Sequence, residues 1–218
     1  MLETMPFLAL DSHSKLDSKF NLSKKAIFLD RDGVLNRDTG YVSDITKFEW
    51  IKKSIDALIN LKKAGFLLIV ITNQSGVARK YFTEEAVQRL HKEINVTLLP
   101  FNIQIDAFYY CPNHPGNGIE EKIKKNNPYI KNCKNRKPHN GMIIKAIQDH
   151  NIDIKQSFLI GDKNSDIAAG KHSKITSFAV LSGQEKNFLK TNPDHIFRNL
   201  FEASQYIIKS KHQKVTSV

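Results

Sequence analysis

Apolar and polar positions fall in blocks along this chain, and the period changes from block to block. "AIFLD", residues 26–30, is a short apolar run that predicts a buried strand. "SIDALINLKKAG" spaces its apolar residues at helical intervals and predicts a helix stopped by Gly65. "FLLIVIT" is continuously apolar, as expected of a strand covered on both faces. "TEEAVQRLHKEINVTLL" returns to helical spacing, with Thr83 placed to cap it and Glu85 in its first turn. "IDAFYYC" predicts a third strand, "GMIIKAIQDHN" a helix and "SFLIGD" a fourth strand. "NSDIAAGKHS" predicts a short helix and "ITSFAVL" a fifth strand, and "HIFRNLFEASQYII" a short strand running into a last helix. Residues 112–138 carry no such period and read as a long loop. Strands that alternate with helices predict an α/β fold: a three-layer sandwich around a mainly parallel sheet. No internal repeat divides the chain. Residues 1–23 read as an N-terminal extension, 24–209 as one domain and 210–218 as a flexible tail.

The bulk numbers fit that picture. The chain has 218 residues, 40% hydrophobic and 25% charged, enough for one domain with a real core. Its longest apolar stretch, near Phe66–Ile71, falls far short of the ~20 residues that cross a bilayer. The first residues lack the basic start of a signal peptide. Two cysteines point to a reducing compartment, hence to the cytoplasm. The net charge of +11 is either a lysine-rich surface or a device for an anionic partner. The densest basic stretch, Lys122–Lys137, holds a single aromatic, Tyr129, and no base-stacking pattern, so neither nucleic acid nor membrane is expected as partner.

Three strands end in polar residues: Asp30, Thr72 with Asn73, and Asp162. In an open α/β sheet the carboxyl ends of strands are where ligands bind. In "FLDRDGVLN", Asp30 and Asp32 are two apart and point to one side. Carboxylates this close repel unless a cation or a shared proton holds them, although Asp-Gly is also a common turn. "VITNQSG" offers a hydroxyl, an amide and backbone N–H groups that suit a phosphoryl group, or form a plain turn before a helix. "RKPHNG" sets Lys137 just before a helix, as a phosphate ligand or as a solvated lysine. "LIGDKNSD" ends a buried strand with Asp162, and Asp166 follows four residues on. That pair is a helix cap or a site for a hard cation such as Mg²⁺.

Taken together, in this order, the four segments resemble the haloacid dehalogenase phosphatase superfamily over about residues 25–185. The longer strings "FLDRDGVLNRDTGYV", "TNQSGVARKYFTE", "YYCPNHP", "RKPHNGM" and "IGDKNSD" are similar to the D-glycero-D-manno-heptose 1,7-bisphosphate 7-phosphatases. Histidinol-phosphate phosphatases share the frame, and "SGVAR" favours the heptose branch. The resemblance implies a Rossmann-like fold with no separate cap domain, and a monomer acting on a small sugar bisphosphate. It implies Asp30 as nucleophile and Asp32 as general acid and base. Thr72 and Lys137 would hold the phosphoryl oxygens. Mg²⁺ would lie between Asp30, the backbone carbonyl of Asp32, and Asp162, with Lys163 and Asp166 orienting that side. The substrate would meet Asp38, Thr39, Gly40, Tyr41, Thr72, Asn73, Gln74, Ser75, Lys137 and Lys163, and Arg136 would read its second anionic group. The implied role is nucleotide-heptose synthesis for lipopolysaccharide core or a surface glycan. The rivals are a histidinol-phosphate or other small-molecule phosphatase, and a nucleic-acid-binding or 3′-end phosphatase protein of the same fold.

In those heptose phosphatases a loop commonly binds structural Zn²⁺ through Cys-x-His and Cys-x-Cys pairs. The corresponding positions here are Cys111, Asn113, Cys133 and Asn135. Neutral amides are poor zinc ligands beside thiolate and imidazole, and the adjacent His114 would give three ligands at most. The expectation is a loop without zinc, held by packing and hydrogen bonds, and without a Cys111–Cys133 disulfide.

Overall fold

The computed structural model describes residues 23–215, so the expected extension at 1–23 lies almost wholly outside the described residues. Six strands form one sheet: β1 (Ala26–Leu29), β2 (Leu67–Asn73), β3 (Ala107–Cys111), β4 (Phe158–Gly161), β5 (Thr176–Val180) and β6 (His195–Phe197). Every pairing is parallel, in the order β3-β2-β1-β4-β5-β6. Parallel neighbours require crossovers, and helices supply most of them: α1 (Ser54–Lys63), α2 (Glu84–Leu98), α4 (Gly141–His150) and α5 (Asn164–His172). A last helix, α6 (Leu200–Val215), follows β6 and continues past Lys209, where the domain was expected to end.

The strands are apolar on both faces because both faces are covered. Ile27, Leu29, Leu68 and Val70 pack with Leu58 and Leu61 of α1, Leu90 and Ile94 of α2, and Ala203 and Ile207 of α6. Ala26, Phe28, Ile69 and Ile71 turn the other way, onto Met142, Ile143 and Ala146 of α4 and Ala169 of α5. This is the three-layer sandwich expected, with no second domain among the described residues. The helix signals hold as well. The Thr83 hydroxyl accepts from the Ala86 N–H at the start of α2, and Gly65 ends the α1 segment at φ +78°.

The sheet order reverses at β1, which has β2 on one side and β4 on the other. The register pairs Leu29 with both Val70 and Ile160. Asp30, Thr72 and Asp162 therefore emerge side by side at the carboxyl edge, where such sheets bind ligands. The stretch read as a long loop contains one short helical turn, α3 (Glu121–Lys124), which its polar composition did not signal.

Candidate active site

Asp30 follows β1 and is held there by its own N–H, which donates to the Ile160 carbonyl at 3.0 Å. Lys137 reaches it from the far end of the long loop. The Lys137 ammonium donates to Asp30 Oδ1 and to the Ile71 carbonyl, both at 2.8 Å, and forms an ion pair with Asp166 Oδ1 at 2.7 Å. Lys137 is 3% exposed and Asp30 5%. Burial alone would discharge both groups. For Lys137 it is outweighed by Asp166 and Asp30, which raise its pKa; for Asp30 it is outweighed by Lys137 and Lys163, which lower it. Asp30 is thus an ionised carboxylate in a dry site, as a nucleophile must be.

Asp162 is in a different state. It is fully buried, and neither carboxylate oxygen has a hydrogen-bond partner. Burial, then the neighbouring Asp30 and Asp166, push its pKa up to about 9. One oxygen from each of Asp30, Asp162 and Asp166 lies within 4.8 Å of the others. Three clustered buried carboxylates with three oxygens lacking a hydrogen-bond partner, both of Asp162 and Oδ1 of Asp166, fit a hard divalent cation such as Mg²⁺, whose charge would reverse that shift. Asp166 also accepts from the Lys163 N–H at 2.9 Å, locking the start of α5. Gly33 and Gly183 close over Asp162, and a Cβ at either would collide with its carboxylate.

The Asp32 side chain stands apart from this cluster. Its carboxylate accepts from Arg31, from Asn36 Nδ2 at 3.0 Å and from Gln74 Nε2 at 3.1 Å. Gln74 Nε2 also donates to Thr72 Oγ1 at 2.9 Å. Asn73 and Lys137 exchange two bonds: the Asn73 amide donates to the Lys137 carbonyl at 3.0 Å and accepts its N–H at 3.1 Å.

Above these groups opens a cavity of about 260 Å³, lined by Asp32, Asp38, Gly40, Tyr41, Asn73, Gln74, Ser75, Lys163 and Gln184. Lys163 Nζ binds Asp38 Oδ2 at 3.0 Å, and the other Asp38 oxygen accepts the Gly40 N–H at 3.1 Å. The structure thus brings together most of the expected substrate-binding residues. Thr72 and Lys137 are buried rather than on the walls, and Thr39 and Arg136 are not among the walls. Arg136 Nη1 instead donates to the Asn113 carbonyl at 3.0 Å.

Residues 134–203 match a family model described as HAD-hydrolase-like. Over 158 residues the chain is 46% identical to the D-glycero-β-D-manno-heptose-1,7-bisphosphate 7-phosphatase of Pasteurella multocida, covering 72% of this chain and 82% of that one. The chain belongs to the heptose bisphosphate phosphatase family of haloacid dehalogenase-like hydrolases. The Escherichia coli K12 member is 42% identical over 163 residues, which cover 74% of this chain and 82% of that one. A crystal structure of the D,D-heptose 1,7-bisphosphate phosphatase from B. bronchiseptica, complexed with magnesium and phosphate, superposes with a TM-score of 0.71 at 25% identity. It covers 85% of this chain and 99% of that one.

Within this family frame the loop after β3 is held by amides. Asn113 Nδ2 donates to the Tyr129 carbonyl at 3.3 Å, and its Oδ1 lies 3.8 Å from Cys111 Sγ. Asn127 Nδ2 donates to the carbonyls of Ala78 and Ile123, and the Tyr129 hydroxyl donates to Glu84 at 2.8 Å. His114 Nδ1 accepts the Gly116 N–H at 3.1 Å. Cys111 and Cys133 are free thiols packed in one apolar cluster, and burial pushes the Cys111 pKa up to about 12. Asn135 sits against Gly141 at the start of α4.

The sequence reading missed Arg31, Asn36 and Gln184. Arg31 sits between two catalytic candidates, and alternation sends it the other way; Gln184 reaches the cavity from 146 positions beyond Asp38, whose carbonyl accepts from it at 3.4 Å.

Proposed function

We propose that this chain removes the 7-phosphate of D-glycero-β-D-manno-heptose 1,7-bisphosphate, with Mg²⁺ as its metal, as a cytoplasmic monomer in nucleotide-heptose synthesis. The observation that carries the reading is the Lys137 ammonium shared between Asp30 and Asp166, beside the orphaned Asp162 carboxylate. The family names supply the sugar and its β anomer.

The residues divide the work as follows. The ionised Asp30 carboxylate attacks phosphorus and becomes an aspartyl-phosphate. Asp32 gives a proton to the departing sugar oxygen and then takes one from the attacking water. Lys137 and Thr72 lie where the phosphoryl oxygens spread their charge. Asp30, Asp162 and the Asp32 carbonyl would hold the metal, which supplies charge neutralisation between carboxylates and phosphate. Lys163 and Asp38 form one wall of the sugar pocket, and Arg136 reads the phosphate at C1. Neither Arg136 nor Arg79 has a carboxylate ion partner among the described residues. The Arg79 guanidinium lies 5.9 Å from the centre of the Tyr41 ring, itself a wall of the cavity.

The test is phosphate release with Mg²⁺, comparing the two heptose bisphosphate anomers with histidinol phosphate. Fast turnover of the β anomer, lost in Asp30→Asn, is expected. Preference for histidinol phosphate would overturn the substrate, and full activity in Asp30→Asn would overturn the mechanism.

A further inference from the structure

Arg31 stands between the two acids of the site and is 0% exposed. Adjacent side chains on an extended strand point apart. Here the chain turns sharply after β1, with the N–H groups of Val34, Leu35 and Asn36 all donating to the Arg31 carbonyl. The turn lets the guanidinium curl back onto its neighbour. Nη2 lies 2.7 and 2.8 Å from the two Asp32 oxygens, Nε lies 3.2 Å from Oδ1, and Nη2 also donates to the Val42 carbonyl at 2.7 Å.

The two oxygens of Asp32 are not equivalent. Oδ1 accepts from Arg31 Nη2, Arg31 Nε and Asn36 Nδ2, three donors from residues that do not line the cavity. Oδ2 meets Arg31 Nη2 and, from the cavity side, Gln74 Nε2. Of these donors Gln74 alone lines the cavity. Its amide also occupies Thr72 Oγ1, so it stands where a phosphate ester would arrive.

We propose that Arg31 is a positioning residue for proton transfer. With Asn36 it saturates Oδ1 of Asp32 and leaves Oδ2, behind Gln74, as the oxygen that carries the proton. As the P–O bond to the sugar breaks, its electron pair goes to the sugar oxygen, which takes the proton from Oδ2. In the second half, water loses a proton to Oδ2 while its oxygen bonds phosphorus and the Asp30–phosphorus bond breaks. The inference rests on the phosphatase reading above.

The test compares leaving groups. A sugar alkoxide needs the proton; 4-nitrophenolate leaves without one. Arg31→Lys keeps the charge but cannot fork across a carboxylate, and Arg31→Met removes both. The measured quantity is kcat/KM, which stops at the first irreversible step and so isolates leaving-group departure. General acid catalysis is worth about 10²–10⁴-fold, so Arg31→Met should lose roughly 10²-fold on heptose bisphosphate and no more than a tenth of that factor on 4-nitrophenyl phosphate. Arg31→Lys should fall between, and it carries the same comparison if Arg31→Met does not fold. Equal losses on both substrates in a folded variant would overturn the proposal. Turnover by the unmodified protein, and its loss in Asp30→Asn, tests the phosphatase reading separately.

Discussion

Lys137 and Asp30 are 107 positions apart in the chain and meet at 2.8 Å in a site almost closed to water. Removing the ammonium leaves Asp30 and Asp166 as buried carboxylates without their cation. Lys137→Ala is expected to lower kcat by about 10²–10³-fold, as for loss of a preorganised charge donor. Its melting temperature should also fall, because breaking one side of a buried ion pair is strongly destabilising. Phosphate release and a thermal melt check both, and activity within a few-fold of the unmodified enzyme would remove Lys137 from the mechanism.

Asp162 should behave in the opposite way in metal-free buffer. With its pKa pushed up to about 9, the buried Asp162 carboxyl is neutral in metal-free buffer at pH 7, so Asp162→Asn exchanges one neutral group for another. The variant is expected to melt no lower than the unmodified protein without Mg²⁺. Adding Mg²⁺ should raise the melting temperature of the unmodified protein and leave that of the variant nearly unchanged. Paired melts with and without MgCl₂ separate these outcomes.

Arg136 leans on the loop through the Asn113 carbonyl and keeps further donors free of any carboxylate among the described residues. If it binds the second phosphate, Arg136→Ala should raise KM for the bisphosphate by about 10-fold or more, the worth of a charge-assisted hydrogen bond. A heptose carrying the 7-phosphate alone should show little change. Equal damage to both substrates would place Arg136 in loop stability instead.

His91 gives a pH dependence that owes nothing to catalysis. It stacks on Phe108 with ring centroids 4.4 Å apart, and burial, then the Arg31 charge, lower its pKa to about 3. Below its ordinary value of 6.5 the unfolded chain takes up a proton that the folded chain refuses. Stability is therefore present above pH 6.5 and lost as pH falls from there toward 3, at up to ~1.4 kcal/mol per pH unit. His91→Phe should flatten that part of the acid limb, read as melting temperature between pH 7 and 4.5. An unchanged slope would show that other groups set it.

Much of this site was legible because its parts sit at the ends of runs that only buried strands produce. "AIFLD", "FLLIVIT" and "SFLIGD" each announce a strand and hand over a polar residue at its last position, so Asp30, Thr72 and Asp162 could be placed in one row. Lys137 was legible from its position before α4 and from the family pattern. What was not legible depends on local turns and distant returns. Arg31 reaches Asp32 because the backbone bends after β1, which a period-two pattern does not encode. Gln184 meets the cavity from a loop beyond β5 with no periodicity of its own. The four residues of α3 are too polar to show a buried face.

The two hydrogen bonds between Asn73 and Lys137 fasten the end of β2 to the end of the long loop. Through Thr72 next to Asn73, the hydroxyl and the ammonium proposed to hold the phosphoryl group belong to one rigid piece. Their rotational freedom is surrendered when the chain folds and is not demanded again from each arriving substrate. The enzyme can therefore leave its sugar pocket open and still meet the phosphate with a fixed constellation.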